Sequence, residues 1–164
     1  MVTSRRRLLA TGVTLGAASL GGCLGLGGSS EFDDWAWSGS IPVDSVVQHH
    51  DPSCGCCGDY VDYLEANEFD VRVEETGSLE SVKRDLGVPP SADSCHTVEF
   101  GEYLIEGHVP LEAIEALFDE EPAVLGIAAP GMPPNSPGMG SPGDEPLTVY
   151  AFEASGQVYE YVDV

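Results

Sequence analysis

The sequence predicts an α/β domain over residues 42–164, with strands and helices in the order βαβαββα, extended by a Pro/Gly/Met-rich loop and an added β-hairpin. Two patterns carry that prediction. Between residues 44 and 118, short runs with apolar residues at every second position alternate with runs whose apolar residues recur every three or four. Between residues 146 and 162, "PLTVYAFEASGQVYEYV" alternates about a single Ser155-Gly156 turn, as a hairpin does.

The elements follow in order. "DSVVQHH" (44–50) is a short strand, apolar at Val46 and Val47, that runs directly into a cysteine loop. Cys57, Val61 and Leu64 then fall at i, i+4 and i+7, one helical stripe through "CGDYVDYLEANE". "FDVRVEE" (69–75) places Phe69, Val71 and Val73 on one face of a strand. "SLESVKRDLG" (78–87) is a helix turning Leu79, Val82 and Leu86 inward, with Gly87 as its stop. "TVEF" and "YLIEG" are two strands across a Gly101-Glu102 turn, and Pro110 opens a helix carrying Leu111, Ile114, Leu117 and Phe118. In the hairpin, Phe152, Tyr159 and Tyr161 read as core or edge packing.

This order is that of a thioredoxin-like core. It places "CGCCG" (54–58) between the first strand and the first helix, with Cys57 in the first helical turn, where orphan N–H groups and the helix dipole favour a thiolate. In thioredoxin-like folds the loop before the third strand faces that position and ordinarily carries a cis-proline. Here it reads "SADSCHT" (91–97), so Cys95 and His96 are expected to converge on the cysteine loop.

Cys54, Cys56, Cys57 and Cys95 allow three disulfide pairings. A 56–57 bridge is vicinal and strained, and a 54–56 bridge closes a very tight loop, which leaves 54–57 with 56–95 as the comfortable pairing. A bridge spanning two residues removes little loop entropy, so a purely structural purpose is a weak explanation. A redox dithiol would use Cys54 as nucleophile and Cys57 as resolving thiol. Cys56 stands between them and offers an off-pathway disulfide, an addition that suits a metal site better. Soft thiolates select Cu(I) or Zn(II), and thioethers tilt the choice toward Cu(I). Beyond the initiator, the methionines are Met132 and Met139, both in "APGMPPNSPGMGSPG" (129–143), a loop in which packing explains them poorly. His96, beside Cys95, and His108, before Val109-Pro110, are candidate ligands, each against the alternative of a local backbone hydrogen bond. His49 and His50 alternate faces, so at most one can point at the cysteines, and neither reads as a primary ligand.

Residues 1–22 read as an export signal: Arg5, Arg6 and Arg7 precede an apolar, small-residue run too short and too rich in Gly, Ala and Ser for a membrane span. The arginine–leucine start resembles a Tat signal, and "LGGC" resembles a lipobox, making Cys23 the expected lipidation site. Residues 23–41 read as a flexible, lipid-anchored tether, with Trp35 and Trp37 placed equally well on the domain or at a lipid interface. The expected location is thus extracytoplasmic, on the outer face of the cell membrane. Beyond the signal only Arg72, Lys83 and Arg84 oppose 28 acidic residues, a formal charge near −25. Such a charge repels nucleic acid and anionic lipid surfaces, and its even scatter fits a halophilic setting, where salt screens self-repulsion. No Walker loop, dinucleotide fingerprint, serine elbow or HExxH occurs.

"CGCCG" (54–58), "SCHT" (94–97), "EGHVP" (106–110) and "PGMP" with "SPGM" (130–139) occur in an order that resembles domain-of-unknown-function family 411 from about Val46 to Val162. That family comprises thioredoxin-like, predicted metal-binding proteins and includes copper-resistance proteins of the CopG type. Tyr60, Asn135 and Gly140 depart from its pattern without removing a sulfur. The resemblance implies extracytoplasmic Cu(I) binding and handling in copper resistance or homeostasis. Cys54, Cys56, Cys57, Cys95, Met132 and Met139 would be the soft ligands, with His96 and His108 close by and Zn(II) as the alternative ion. Copper ions, the membrane through the lipid anchor and another copper-handling protein are the implied partners, and nucleic acid is not. A non-enzymatic role comes first; thiol–disulfide exchange or metal-coupled redox at Cys54 and Cys57 is the alternative.

Overall fold

A computed structural model describes residues 32–164; the export signal, the lipobox and Cys23 lie outside the described residues. Strands β1 (Ser45–His50), β2 (Asp70–Glu75), β3 (His96–Phe100) and β4 (Tyr103–Glu106) alternate with helices α1 (Cys57–Ala66), α2 (Leu79–Leu86) and α3 (Leu111–Glu120). β5 (Gly126–Ala128), β6 (Thr148–Phe152) and β7 (Val158–Asp163) complete a mixed α/β domain. All seven strands form one sheet in the order β2-β1-β3-β4-β5-β6-β7. β1 runs parallel to β2 and antiparallel to β3, β4 runs parallel to β5, and the remaining neighbours are antiparallel. Among the described residues, no helix is long and apolar enough to cross a membrane.

The helices and central strands fall where the periodicity puts them, with four differences in detail. In α1 the buried residues are Cys57, Tyr60, Tyr63 and Leu64, while Val61 is only half-buried. Both tyrosines go inside because their hydroxyls find partners: Tyr60 donates to the Val109 carbonyl (2.7 Å), and Tyr63 accepts the Leu111 N–H (3.0 Å). In β2, Phe69 is buried just before the strand and Val73 is exposed, because β2 is an edge strand paired only with β1. In α2, Leu79, Val82 and Leu86 are half-buried and Lys83 is the buried residue, its ammonium paired with Glu106 and Asp93. Finally, β5 appears where no strand was expected. Its three residues are too few to show a period, and Gly126 lies against the Leu104 carbonyl, where a side chain would collide with Leu104 and Phe152.

Other expectations hold. Gly87 ends α2 in the left-handed region (φ 87°). Leu111, Ile114 and Leu117 of α3 are fully buried, and the hairpin turns at Gly156 (φ 83°). Phe152 is in the core, and Tyr159 is exposed on the edge strand β7.

The described part of the tether, residues 32–41, lies against the domain. Trp35 is buried and its indole N–H donates to the Gly140 carbonyl (2.7 Å). The Trp37 indole and the Ser40 N–H both donate to the Glu115 carboxylate (2.9 Å each), and Trp37 stacks on Phe69. These bonds, the Ser40 N–H first and the Trp37 indole second, hold the Glu115 carboxyl below its ordinary 4.5. A depressed carboxyl contributes its stabilisation above the unfolded pKa and loses it as pH falls through the folded value. Glu115→Ala is therefore expected to red-shift part of the tryptophan fluorescence and speed exchange of the Ser40 amide at neutral pH. Global stability should change by no more than about 1 kcal/mol. Acidifying the parent below pH 4.5 should reproduce the shift; an unchanged spectrum in the variant would show that Glu115 does not fasten the segment.

Candidate metal centre

β1 and β3 are antiparallel neighbours with His50 opposite His96, so the loop leaving β1 and the loop entering β3 meet at one end of the sheet. The first loop supplies Cys54 and Cys56, the first residue of α1 is Cys57, and the second loop supplies Cys95. One ligand atom from each of these four cysteines lies within 4.8 Å of all the others. Cys54 and Cys57 are joined as a disulfide. Cys56 and Cys95 are free thiols with sulfurs 3.9 Å apart, and Cys56 Sγ lies 3.8 Å from Cys54 Sγ. The structure therefore shows the 54–57 half of the expected pairing and holds the other two thiols in contact without a bond.

Cys95 also belongs to a second group, with His96 and His108, whose ligand atoms again lie within 4.8 Å of one another. Cys95 Sγ is 3.2 Å from His96 Nδ1. His108 Nδ1 lies 2.7 Å from the Pro137 carbonyl, which can only accept, so the proton is on Nδ1 and the Nε2 lone pair is free. Nε2 of both histidines is buried without a hydrogen-bond partner among the described residues. The imidazoles meet edge to face at 4.9 Å, and the ring of the fully buried Tyr60 packs against both. Burial, then the neighbouring His108, then Lys83, hold His96 well below the usual histidine range; burial also lowers His108, against the opposing pull of the Pro137 carbonyl. Burial thus favours the neutral form of both imidazoles, and His108 keeps an unused Nε2 lone pair close to the sulfurs, which is how a nitrogen ligand for a soft ion must be presented.

Met132 and Met139 both belong to the loop that carries Pro137. Met132 is 43% exposed and has a left-handed backbone (φ 55°). Met139 is half-buried, and its N–H closes a turn onto the Ser136 carbonyl (2.9 Å). Gly138 beside it (φ 76°) packs so closely on α1 that a Cβ would meet Asp59 and the Tyr60 amide at 3.1–3.2 Å. As the alternation of faces requires, His50 shares the cysteine side with Gln48, while His49 on the other face contacts Glu99 (2.7 Å) and Glu74 (3.6 Å).

Three residues near the site escape the sequence reading. Gln48 is fully buried, donates to the Cys57 carbonyl (2.8 Å) and lies 3.0 Å from His50 Nδ1. Lys83 and Glu106 form a buried ion pair beside Ser94. The signal for Gln48 is present in "VVQHH", a central strand whose last three residues are polar; no local signal marks Lys83.

No curated protein matches the chain. The profile of the family described as "Protein of unknown function, DUF411" matches residues 92–139, which include Cys95, His96, His108 and both loop methionines. Two solved structures titled "Copper resistance protein copG", in Form 2 and Form 1, are each 39% identical to this chain with a TM-score of 0.66. The match covers 76% of this chain and 99% of Form 2, and 74% and 98% for Form 1. The chain belongs to the DUF411 family. Of the cysteine cluster, Cys95 lies within the residues the profile matches, and Cys54, Cys56 and Cys57 lie before them.

The two free thiols differ in setting. Burial first, and the neighbouring Cys56 second, push the Cys95 thiol up to about 12. A raised pKa means that very little thiolate is present at neutral pH, and the thiolate is the nucleophile. Peptide-mapped iodoacetamide labelling of the disulfide-intact protein is expected to modify Cys56 first and Cys95 at least about tenfold more slowly, with the Cys95 rate still rising with pH above 9. Equal rates would show that Cys95 is not shielded as the geometry requires.

Proposed function

We propose that this chain binds and handles Cu(I) outside the cytoplasm, in copper resistance or homeostasis, on a thioredoxin-like core anchored to the outer face of the cell membrane through lipidated Cys23. The observation that carries the reading is the convergence of four cysteine sulfurs from two loops and the first residue of α1, with Cys95 grouped also with two buried imidazoles. The similarity to solved copper resistance proteins supports the same reading. Thiolates and neutral imidazoles suit both Cu(I) and Zn(II), and the thioethers of Met132 and Met139 favour Cu(I). The sheet order β2-β1-β3-β4, with α1 opening on the cysteine loop, supports the thioredoxin-like reading. The N-terminal signal, a charge near −25 suited to high salt, and a second copper-handling protein as donor or acceptor complete it.

Cys54 and Cys57 hold copper only as thiolates, so their disulfide must first take up two electrons and release two sulfurs. Anaerobic titration of the reduced protein with Cu(I) against a chelator, at molar salt, tests the proposal. Tight binding is expected; Cys95→Ser should weaken it by at least about tenfold, and so should re-forming the Cys54–Cys57 disulfide. Replacing Met132 and Met139 together by Leu should lower Cu(I) retention with Zn(II) affinity nearly unchanged. A reduced parent with no affinity for Cu(I) would overturn the reading.

The Cys54–Cys57 disulfide at the start of α1 favours thiol–disulfide exchange, alone or coupled to the metal, as the second reading. Cys56, 3.8 Å from Cys54, competes for any mixed disulfide formed there. Metal-free protein is accordingly expected to reduce insulin slowly and Cys56→Ser to reduce it faster. Turnover by the parent comparable to a thioredoxin would reverse the order of the two readings.

A further inference from the structure

We infer that Lys83 and Glu106 are positioning residues for Cys95, a buried ion pair whose task is to fix the loop that presents this sulfur and the adjoining imidazole. As a statement about metal binding, the inference rests on the copper reading above; as a statement about where Cys95 is held, it does not.

The geometry centres on Ser94. Its N–H donates to Glu106 Oε1 (2.8 Å), and its carbonyl accepts from Lys83 Nζ (2.6 Å). Both polar groups of one peptide residue are thus gripped by the two members of one ion pair, which also contact each other directly. The other carboxylate oxygen of Glu106 accepts from the Thr97 hydroxyl (2.6 Å). Thr97 is Glu106's register partner across β3 and β4. One carboxylate therefore spans residues 94 and 97, on either side of Cys95 and His96. The next residue continues the clamp: Gly107 donates its N–H to the His96 carbonyl (3.0 Å). Gly107 has φ 76°, and a Cβ there would come within 2.9 Å of the Ala129 carbonyl.

Stability alone is a poor account of this pair. Glu106 is fully buried and Lys83 is 5% exposed, and taking two charges out of water costs free energy that their attraction only roughly returns. A well-packed apolar pair would hold α2 against β4 as well. An apolar pair could not accept from Ser94 N–H and donate to Ser94 O at once. Of the three basic residues beyond the signal, one is spent here, in a chain with 28 acidic residues. Asp93 also contacts Lys83 (2.5 Å), but its side chain is 55% exposed, so it caps the pair from outside.

The test uses the full chain with Lys83→Met and Glu106→Gln combined. This removes both charges and leaves an amide oxygen able to accept from the Ser94 N–H, but no donor for the Ser94 carbonyl. Far-ultraviolet circular dichroism and a cooperative melt establish folding. In the metal-free, disulfide-intact protein, Cys95 alkylation is expected to speed up at least about tenfold while Cys56 is unaffected, because a loosened loop opens more often. In the reduced protein, Cu(I) affinity should fall about 10- to 100-fold, the usual effect of losing a partner that orients a ligand. Asp93→Asn should change neither. Should the double variant fail to fold, Thr97→Val serves instead, with Cys95 labelling about threefold faster in a folded protein. Parent-like Cys95 labelling in the folded double variant, or in Thr97→Val where the double variant does not fold, overturns the inference. If the parent itself binds no Cu(I), the copper reading fails and the labelling arm still decides the positioning role.

Discussion

The antiparallel register that sets His50 opposite His96 is the constraint on which the cysteine cluster depends. It brings the end of β1 and the start of β3 to one edge of the sheet, so that loops some forty residues apart in sequence deliver sulfurs to one place. Side chains alternate along a strand, and a one-residue slip would turn Gln48 and His50 to the opposite face. His49 would then face the cysteines and lose its contacts with Glu74 and Glu99. The alternation that packs Val46 on the core side thus also selects which polar residues lie beneath the thiols.

Beneath those thiols the interior is polar where a small domain would ordinarily be apolar. Gln48, His50, His96 and His108 are all at most 7% exposed. Burying such groups is unfavourable unless they are paired, yet Gln48 Oε1 and Nε2 of His96 and His108 have no partner. Packing alone does not explain two imidazoles buried beside Cys95, since Leu or Phe would fill that space at lower cost. A positively charged guest bound by thiolates and lone pairs would satisfy them, and the burial that keeps the imidazoles neutral keeps those lone pairs available.

Where a residue announces itself by period or spacing, the sequence is a sufficient guide, and the three helices and six of the seven strands are legible for that reason. Cys54, Cys56 and Cys57 are legible by their spacing alone. Placing Cys95 and His96 beside them requires knowing which strands pair, which the βαβαββα order supplies only through a fold analogy. β5 is hidden by its brevity, and Lys83 by its chemistry: a lysine between Val82 and Arg84 on an amphipathic helix reads as solvent-facing, and only the distant Glu106 makes it a buried residue. Residues 32–41 read as free tether for a similar reason, because Gly, Ser and acidic composition outweigh two tryptophans whose partners, Gly140 and Glu115, lie some eighty to a hundred residues away.

The two methionines are not equivalent, although they share a loop and a residue type. Around Met139 the chain is fixed on both sides: Pro137 is bonded to His108, Gly138 is pressed onto the start of α1, and Gly140 accepts from the Trp35 indole. Asp34 and Ser141 add a second link between this loop and the N-terminal segment (2.5 Å). Met139 is thereby held beside the helix turn that carries Cys57, with little freedom to leave it. Met132 has none of these anchors, is 43% exposed and sits in a strained left-handed conformation. Of the two thioethers, Met139 is the one carried by a fastened stretch of chain, and Met132 the one left exposed. The same segment that fastens Met139 therefore joins the N-terminal tether, the His108 tautomer and the first turn of α1 into one packed unit, and leaves the Met132 arm exposed at its edge.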